Sequence, residues 1–197
     1  QAEDGIRDVE RSRGLGDVYK RQDDEPKDEA RLIKAVIKGI TIVNTYIPQG
    51  YERESEKFEY KLKWFARLGK YFAKHFKPDD PVIWAGDFNI AREAKDVYDP
   101  QGLWGHVCYC AEVQQRLAKI MDWGFVDVFR RHCDQAGQYT FWDYRAGAFR
   151  QDMGWRLDYI MATKNLAAKC TKCWIDKGPR SAEKPSDHTF LISHFDM

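Results

Sequence analysis

Residues 81–91 read PVIWAGDFNIA, a short continuous apolar run that stops abruptly at Gly86 and is followed by Asp87, Phe88 and Asn89. An apolar run of this length, without alternation, reads as a strand buried on both faces. Immediately upstream, residues 51–76 carry Phe58, Leu62, Phe65, Leu68 and Phe72 at helical spacing, with Lys and Glu between them and Pro78 beyond. That spacing predicts an amphipathic helix ended by the proline. Before the helix, residues 35–47 (AVIKGITIVNTYI) are β-branched and partly alternating, and read as a strand pair or one long strand. Strand, crossover helix and strand form an α/β unit. Downstream the pattern predicts a second helix over residues 111–123 and short strands over 156–162, 168–175 and 189–194.

The chain has 197 residues, enough for one domain with a substantial core. With 43% hydrophobic and 32% charged residues and no apolar run of the roughly 18 residues a membrane helix needs, no membrane association is expected. A formal net charge of +1 excludes a wholesale basic surface, so any nucleic-acid site has to be a local patch. The five cysteines are an odd number in a chain without a hydrophobic signal segment, which points to a reducing, cytoplasmic setting. Cys170 and Cys173 form a C-x-x-C, but the nearest other pair, Cys108 and Cys110, lies sixty residues earlier and makes poor zinc spacing.

Residues 1–22 (QAEDGIRDVERSRGLGDVYKRQ) mix both charge signs with three glycines, show neither helical nor strand periodicity and lack an initiator Met. They resemble the translated adapter or vector junctions that prefix genes assembled from environmental DNA. The expectation is a non-native or disordered prefix, with residues 23–197 forming a partial domain.

Three clusters have chemical potential. If the backbone stays extended past residue 86, Asp87 and Asn89 project to the same side at a strand end, where α/β proteins place ligands; the alternative is a turn in which they satisfy their own backbone. Ser186-Asp187-His188 precedes an apolar strand, and an Asp and a His there suit a hard cation and a phosphate, or simply a cap. In Trp155-Arg156-Leu157-Asp158-Tyr159, an Arg and an Asp interrupt an apolar strand. A buried Asp needs a partner, for which a His is the natural candidate; an Arg–Asp surface pair is the plainer account.

Asn44-x-Tyr46-x-Pro48-x-Gly50, Gly86-Asp87-Phe88-Asn89-Ile90-Ala91, Tyr139-Thr140-Phe141-Trp142, Trp155-Arg156-Leu157-Asp158-Tyr159 and Ser186-Asp187-His188 follow one another along the chain. In this order they resemble the exonuclease III and abasic-endonuclease family of the endonuclease/exonuclease/phosphatase superfamily, over roughly residues 33 to 197. The resemblance implies a four-layered α/β sandwich, two packed mixed sheets flanked by helices, incomplete at its N-terminus. It also implies Mg²⁺, with Mn²⁺ as a substitute, and in-line attack of water on a phosphodiester of double-stranded DNA, at an abasic site or a 3′ end, by a monomer.

Residue by residue, the resemblance gives Asp87 the orientation or activation of the attacking water, and Asn89 and Tyr46 the phosphate. It makes Asp158 and His188 a dyad in which the carboxylate orients the imidazole. Metal contact falls to Asp187, with Asp87 and His188 beside it. Gln49 is implied as a backbone-phosphate contact, and Phe141, Trp155 and Leu157 as an apolar pocket for a flipped-out baseless sugar, which costs less to extrude than a paired nucleotide. Strict alternation sets Trp155 and Leu157 opposite Asp158, so pocket and dyad share a site only at a twisted strand end. Arg145, Arg150, Arg156, Lys177, Arg180 and Lys184 form the candidate basic patch.

The family's first two active-site motifs, an Asn and a metal-binding Glu, should precede Arg31, and Glu3, Glu10, Glu25 and Glu29 do not sit in matching contexts. This departure implies a weak or inactive fragment of an active parent. The alternatives are a catalytically incomplete DNA-binding module, or another superfamily activity such as an inositol-phosphate phosphatase, a sphingomyelinase or a non-specific DNase. Those share Gly-Asp-x-Asn and Ser-Asp-His, whereas the Phe141-Trp142 and Trp155-to-Tyr159 motifs favour the DNA-repair branch.

Overall fold

The computed structural model describes residues 18–20 and 31–196. Two strands, β2 (Leu32–Ile37) and β3 (Ile40–Thr45), form a hairpin. Its two-residue turn places Lys38 and Gly39 at φ 50° and 80°, the left-handed geometry that matches strand twist. The single long strand is thus ruled out in favour of the pair. Helix α1 (Glu56–His75) crosses from β3 to β4 (Val82–Asp87), which lies parallel to β3. Ser55 caps α1, its hydroxyl accepting from the Phe58 amide at 3.2 Å.

The chain continues through α2 (Ala111–Asp122), β5 (Phe125–Asp127), α3 (Val128–His132), β6 (Asp158–Thr163), α4 (Lys164–Ala167), β7 (Cys170–Asp176) and β8 (Phe190–Phe195). With β1 (Val18–Lys20), the principal sheet has the order β1-β2-β3-β4-β6-β5 and is mixed, only β3 and β4 being parallel. Among the described residues the second sheet is the antiparallel pair β7-β8. Val18–Lys20 lies within the segment expected to stand outside the fold, yet its backbone pairs with β2; the rest of residues 1–22 lies outside the described residues.

One face of the principal sheet is covered by α1 and α2. Leu32, Val43, Trp84 and Met161 point there and meet Phe65, Leu68 and Phe72 of α1 and Val113 and Leu117 of α2. Phe72 is fully buried, with its ring 4.8 Å from Phe125 and 5.3 Å from Trp84. On the opposite face Ile40, Ile83, Val126 and Ile160 meet Cys173, Ile175, Leu191 and Phe195 of the second sheet, with Val128, Phe129 and Leu166 completing that core. Sheet on sheet with helices outside is the mixed α/β sandwich, since each apolar face has to be buried against another element.

Gly86 is where this packing bears on the site. Its φ is +127°, and a Cβ there would stand 2.1 Å from the carbonyl oxygen of Thr45 on β3. Gly86→Ala is therefore expected to destabilise the fold by at least about 2 kcal/mol, through clash and strain together. Denaturant melting checks this, and an unchanged midpoint would contradict it.

Candidate active site

Parallel pairing of β3 and β4 brings their C-terminal ends to one edge of the sheet, and β6, antiparallel to β4, begins there. The register sets Asp87 directly opposite Asp158. Between Asp87 and Asn89, Phe88 is fully buried, stacked 4.1 Å from Trp84 and 4.9 Å from Tyr159. This aromatic column anchors the loop and leaves the flanking polar side chains at the strand end. The chain does not remain extended there: Asn89 is left-handed at φ 50°. Its amide N–H donates to Asp87 Oδ1 at 2.8 Å, and its Nδ2 donates to Asp87 Oδ2 at 3.0 Å and to the Ile47 carbonyl at 2.9 Å. The two side chains meet through a turn, the second of the two sequence alternatives, and not through an extended backbone.

His188 arrives from the segment before β8. Its Nδ1 lies 2.8 Å from Asp158 Oδ2 and its Nε2 4.0 Å from Asp87 Oδ2. An ionised carboxylate only accepts, so Nδ1 carries the proton and Nε2 faces Asp87. Thr140 holds this corner together: its hydroxyl oxygen accepts from the Leu157 and Asp158 amides at 3.1 Å each, and its carbonyl accepts from Thr189 N at 2.8 Å. The Asp187 carbonyl accepts from Trp142 N at 2.9 Å, which fixes the backbone of the Ser186-Asp187-His188 turn.

Burial, and next the Asp158 carboxylate, push Asp87 up from its ordinary value to about 6, against the opposing pull of His188. Burial alone would lower His188, but its hydrogen bond to Asp158 and the charges of Asp158, Asp87 and Asp187 leave it raised. The corner is thus rich in negative charge and contains one imidazole. Asp87 and Asp187 offer the hard oxygen donors that suit a divalent cation, and Mg²⁺ is commonly held by one or two carboxylates with water and phosphate completing its shell. The donors fit in kind, although among the described residues no three His, Cys, Asp or Glu side chains gather as a preformed cage.

The remaining candidates divide. Tyr46 is half exposed at the end of β3, with the Arg31 guanidinium 5.0 Å from its ring centre, and the next amide, Ile47 N, donates to the Asp87 carbonyl at 2.9 Å. Gln49 is exposed and its Oε1 accepts from Tyr51 N at 2.6 Å. Phe141 and Trp155 are partly exposed and bridge to one another, and the Phe141 ring lies 5.0 Å from that of His188. The shared neighbourhood of ring and dyad arises because Phe141 bridges both Trp155 and His188 before β6 begins. Leu157 is a correction: it is 4% exposed and packs in the principal core, so its side chain is not offered to a ligand.

Arg156 and Arg180 are corrections as well. Arg156 is fully buried, Nε 2.8 Å from Asp96 Oδ1 and Nη2 2.9 Å from Asp127 Oδ2, with its guanidinium 4.2 Å from the centre of the Tyr159 ring. Arg130 also bonds Asp96. Arg180 is buried and donates to the Ser186 and Trp142 carbonyls. Neither cation is available to a phosphate, which leaves Arg145, Arg150, Lys177 and Lys184 of the expected patch at the surface. Lys61, Asp96 and Thr140 were not foreseen as supports. Lys61 had a signal, since it falls on the apolar stripe of α1 between Phe58 and Phe65.

A carboxylate pair, an amide and a hydrogen-bonded imidazole thus gather at the strand ends of an α/β sandwich. The chain belongs to the Endonuclease/Exonuclease/phosphatase family, which it matches over residues 15–188. It is similar to an AP endonuclease from Archaeoglobus fulgidus, with 46% identity and a TM-score of 0.89 over 93% of this chain and 72% of that one. It also resembles a 3′ phosphatase from Neisseria bound to a product DNA hairpin, at 29% identity and a TM-score of 0.87, with the same coverage. Exodeoxyribonuclease III of Haemophilus influenzae is 31% identical over 164 residues, 79% of this chain and 61% of that protein. The chain thus spans about three fifths of that relative's length. Among the described residues no helix is long and apolar enough to cross a membrane.

Proposed function

We propose that this chain is part of a DNA phosphodiesterase of the exonuclease III type, cutting duplex DNA at abasic sites and removing nucleotides from 3′ ends in base excision repair. The observation that carries the proposal is the Asp158–His188 hydrogen bond of 2.8 Å beside Asp87, in a chain of this family. DNA as substrate is supported by the relatives, one of which is an exodeoxyribonuclease by name and another of which holds a DNA product.

In this reading Asp87 orients water toward the phosphorus and receives its proton, its oxygens steered by Asn89. Tyr46 grips a non-bridging phosphate oxygen, and Asn89 grips another with the Nδ2 hydrogen that it turns away from Asp87. Asp158 holds the His188 ring so that Nε2 faces the reacting phosphate; in the imidazolium form that the surrounding carboxylates favour, Nε2 also carries a proton, and its donation stabilises charge there as the bond to the leaving oxygen breaks. Phe141 and Trp155 line the space for a sugar without a base, and Gln49 contacts the adjoining backbone phosphate. Asp87 and Asp187 with His188 would hold Mg²⁺, which supplies charge stabilisation at phosphate and leaving oxygens when bound. The whole enzyme acts as a monomer in the cytoplasm.

Metal removal is the test. A labelled duplex with one abasic site is offered to this chain, and to the chain completed to the length of its Archaeoglobus relative, with Mg²⁺ or with chelator. Incision by the completed chain in Mg²⁺ alone is expected, with little or none by the shorter one. DNA binding without incision by either would replace the proposal with a binding module.

A further inference from the structure

Beneath the site lies a buried cation that the chemistry above does not use. Lys61, on the inward stripe of α1, is fully buried. Its ammonium donates to the carbonyls of Gln49 at 3.0 Å, Asn89 at 2.8 Å and Val107 at 2.8 Å, with Cys108 Sγ at 3.8 Å. Its three N–H donors meet three carbonyl oxygens, the full capacity of an ammonium, with the Cys108 sulfur farther off. The acceptors belong to three separate segments: the β3–α1 connection, the loop after β4, and the connection leading to α2. Backbone carbonyls are thus its direct oxygen partners, and burial lowers its pKa from the usual lysine value. Gly50, next to Gln49, lies against the lysine stem: a Cβ there would meet Lys61 Cδ at 3.2 Å and Phe58 Cδ2 at 3.2 Å.

We propose that Lys61 is a positioning residue for phosphate recognition, an inference that rests on the function proposed above. By fastening the Gln49 and Asn89 backbones to the same nitrogen, it fixes the spacing between two phosphate-contacting side chains carried on separate loops. A buried apolar residue of the same length would fill the volume but leave the Asn89 and Val107 carbonyls without a donor and the Gln49 carbonyl with the Cys108 thiol alone, so loop position, rather than packing, is the property it supplies.

The experiment compares wild type, Lys61→Met and, as a control for lost stability, Leu68→Ala in the same helix, all as the present full chain. Amide hydrogen exchange is read over residues 47–51, 88–91 and 105–108, and affinity for a short abasic duplex is measured in chelator at a temperature where each variant is folded. Lys61→Met is expected to exchange at least tenfold faster in those three loops, but not in β4 or β6, and to bind roughly tenfold more weakly. Leu68→Ala should lose melting temperature without either change. If Lys61→Met does not fold, Lys61→Gln, which keeps two N–H donors, is read in the same way. Wild-type exchange in the three loops, or wild-type affinity, in a folded Lys61 variant overturns the proposal. A wild-type chain that fails to bind the duplex counts against the DNA-cleaving function, while the exchange pattern still decides whether Lys61 holds the loops.

Discussion

Asp87→Asn in the completed enzyme is expected to lower kcat for abasic-site incision by roughly 10²- to 10⁴-fold, the usual contribution of a positioned proton acceptor. The amide keeps an oxygen for the Asn89 N–H and nearly the same volume, while its nitrogen replaces the oxygen that accepts from Asn89 Nδ2, so the charge is lost together with one hydrogen bond. The same change is expected to stabilise the chain. Asp87 is raised from its ordinary value to about 6 by burial and by Asp158, so its folded form holds a proton more tightly than its unfolded form does. Stability linked to that proton is complete below the unfolded value and is lost as pH rises through about 6. At neutral pH the native wild type bears the cost of an ionised, crowded carboxylate. Removing the charge should return on the order of 1 to 3 kcal/mol above pH 6 and little near pH 4. Denaturant unfolding of both proteins at the two pH values, in chelator, reads the difference directly. A variant less stable than wild type at pH 8 would contradict this electrostatic account.

Asp96→Ala is the second large effect, on folding rather than chemistry. Asp96 is fully buried, accepts from Arg156 Nε at 2.8 Å and Nη2 at 3.2 Å, bonds Arg130, and accepts from the Glu93 amide at 3.0 Å. Burial pushes its carboxyl up, but the charges and hydrogen bonds of Arg156 and Arg130 outweigh that and hold it below the usual range. Alanine leaves two guanidinium groups short of an acceptor, one of them fully buried, and a loss of about 3–5 kcal/mol is expected. Because this carboxyl is depressed, its contribution is present above the unfolded value and fades as pH falls through the folded one. The wild-type advantage over Asp96→Ala should therefore narrow in strong acid. Loss of less than 1 kcal/mol at neutral pH would mean that Asp127 alone neutralises Arg156.

The parts legible in the sequence were those with local, repeated signals. Phe58, Phe65, Leu68 and Phe72 announce α1 by period alone, and residues 81–85 announce β4 because a short apolar run without alternation, cut off at Gly86, suits a strand covered on both faces. Strands β1 and β5 have three residues each, too few for any period to register, and β1 is recognisable only through its pairing with β2. Arg156 looked like a surface cation because its partners Asp96 and Asp127 are sixty and twenty-nine positions away. Arg180, similarly, is buried by carbonyls that no side-chain pattern reports. At the site, the motifs named Asp87, Asn89, Asp158 and His188, but their proximity depends on the β4–β6 register and on the left-handed turn at Asn89. Lys61 was visible as a charged residue on an apolar stripe, yet its three acceptors exist only once three loops converge.

The most direct test of the central claim is incision of a labelled abasic duplex by the completed chain, with Mg²⁺ and with chelator, beside its His188→Ala variant. One cut at the abasic site is predicted in Mg²⁺, none in chelator, and a loss of at least about 100-fold in the variant. Cutting that persists in chelator, or a folded His188→Ala enzyme that cuts at the wild-type rate, would contradict it.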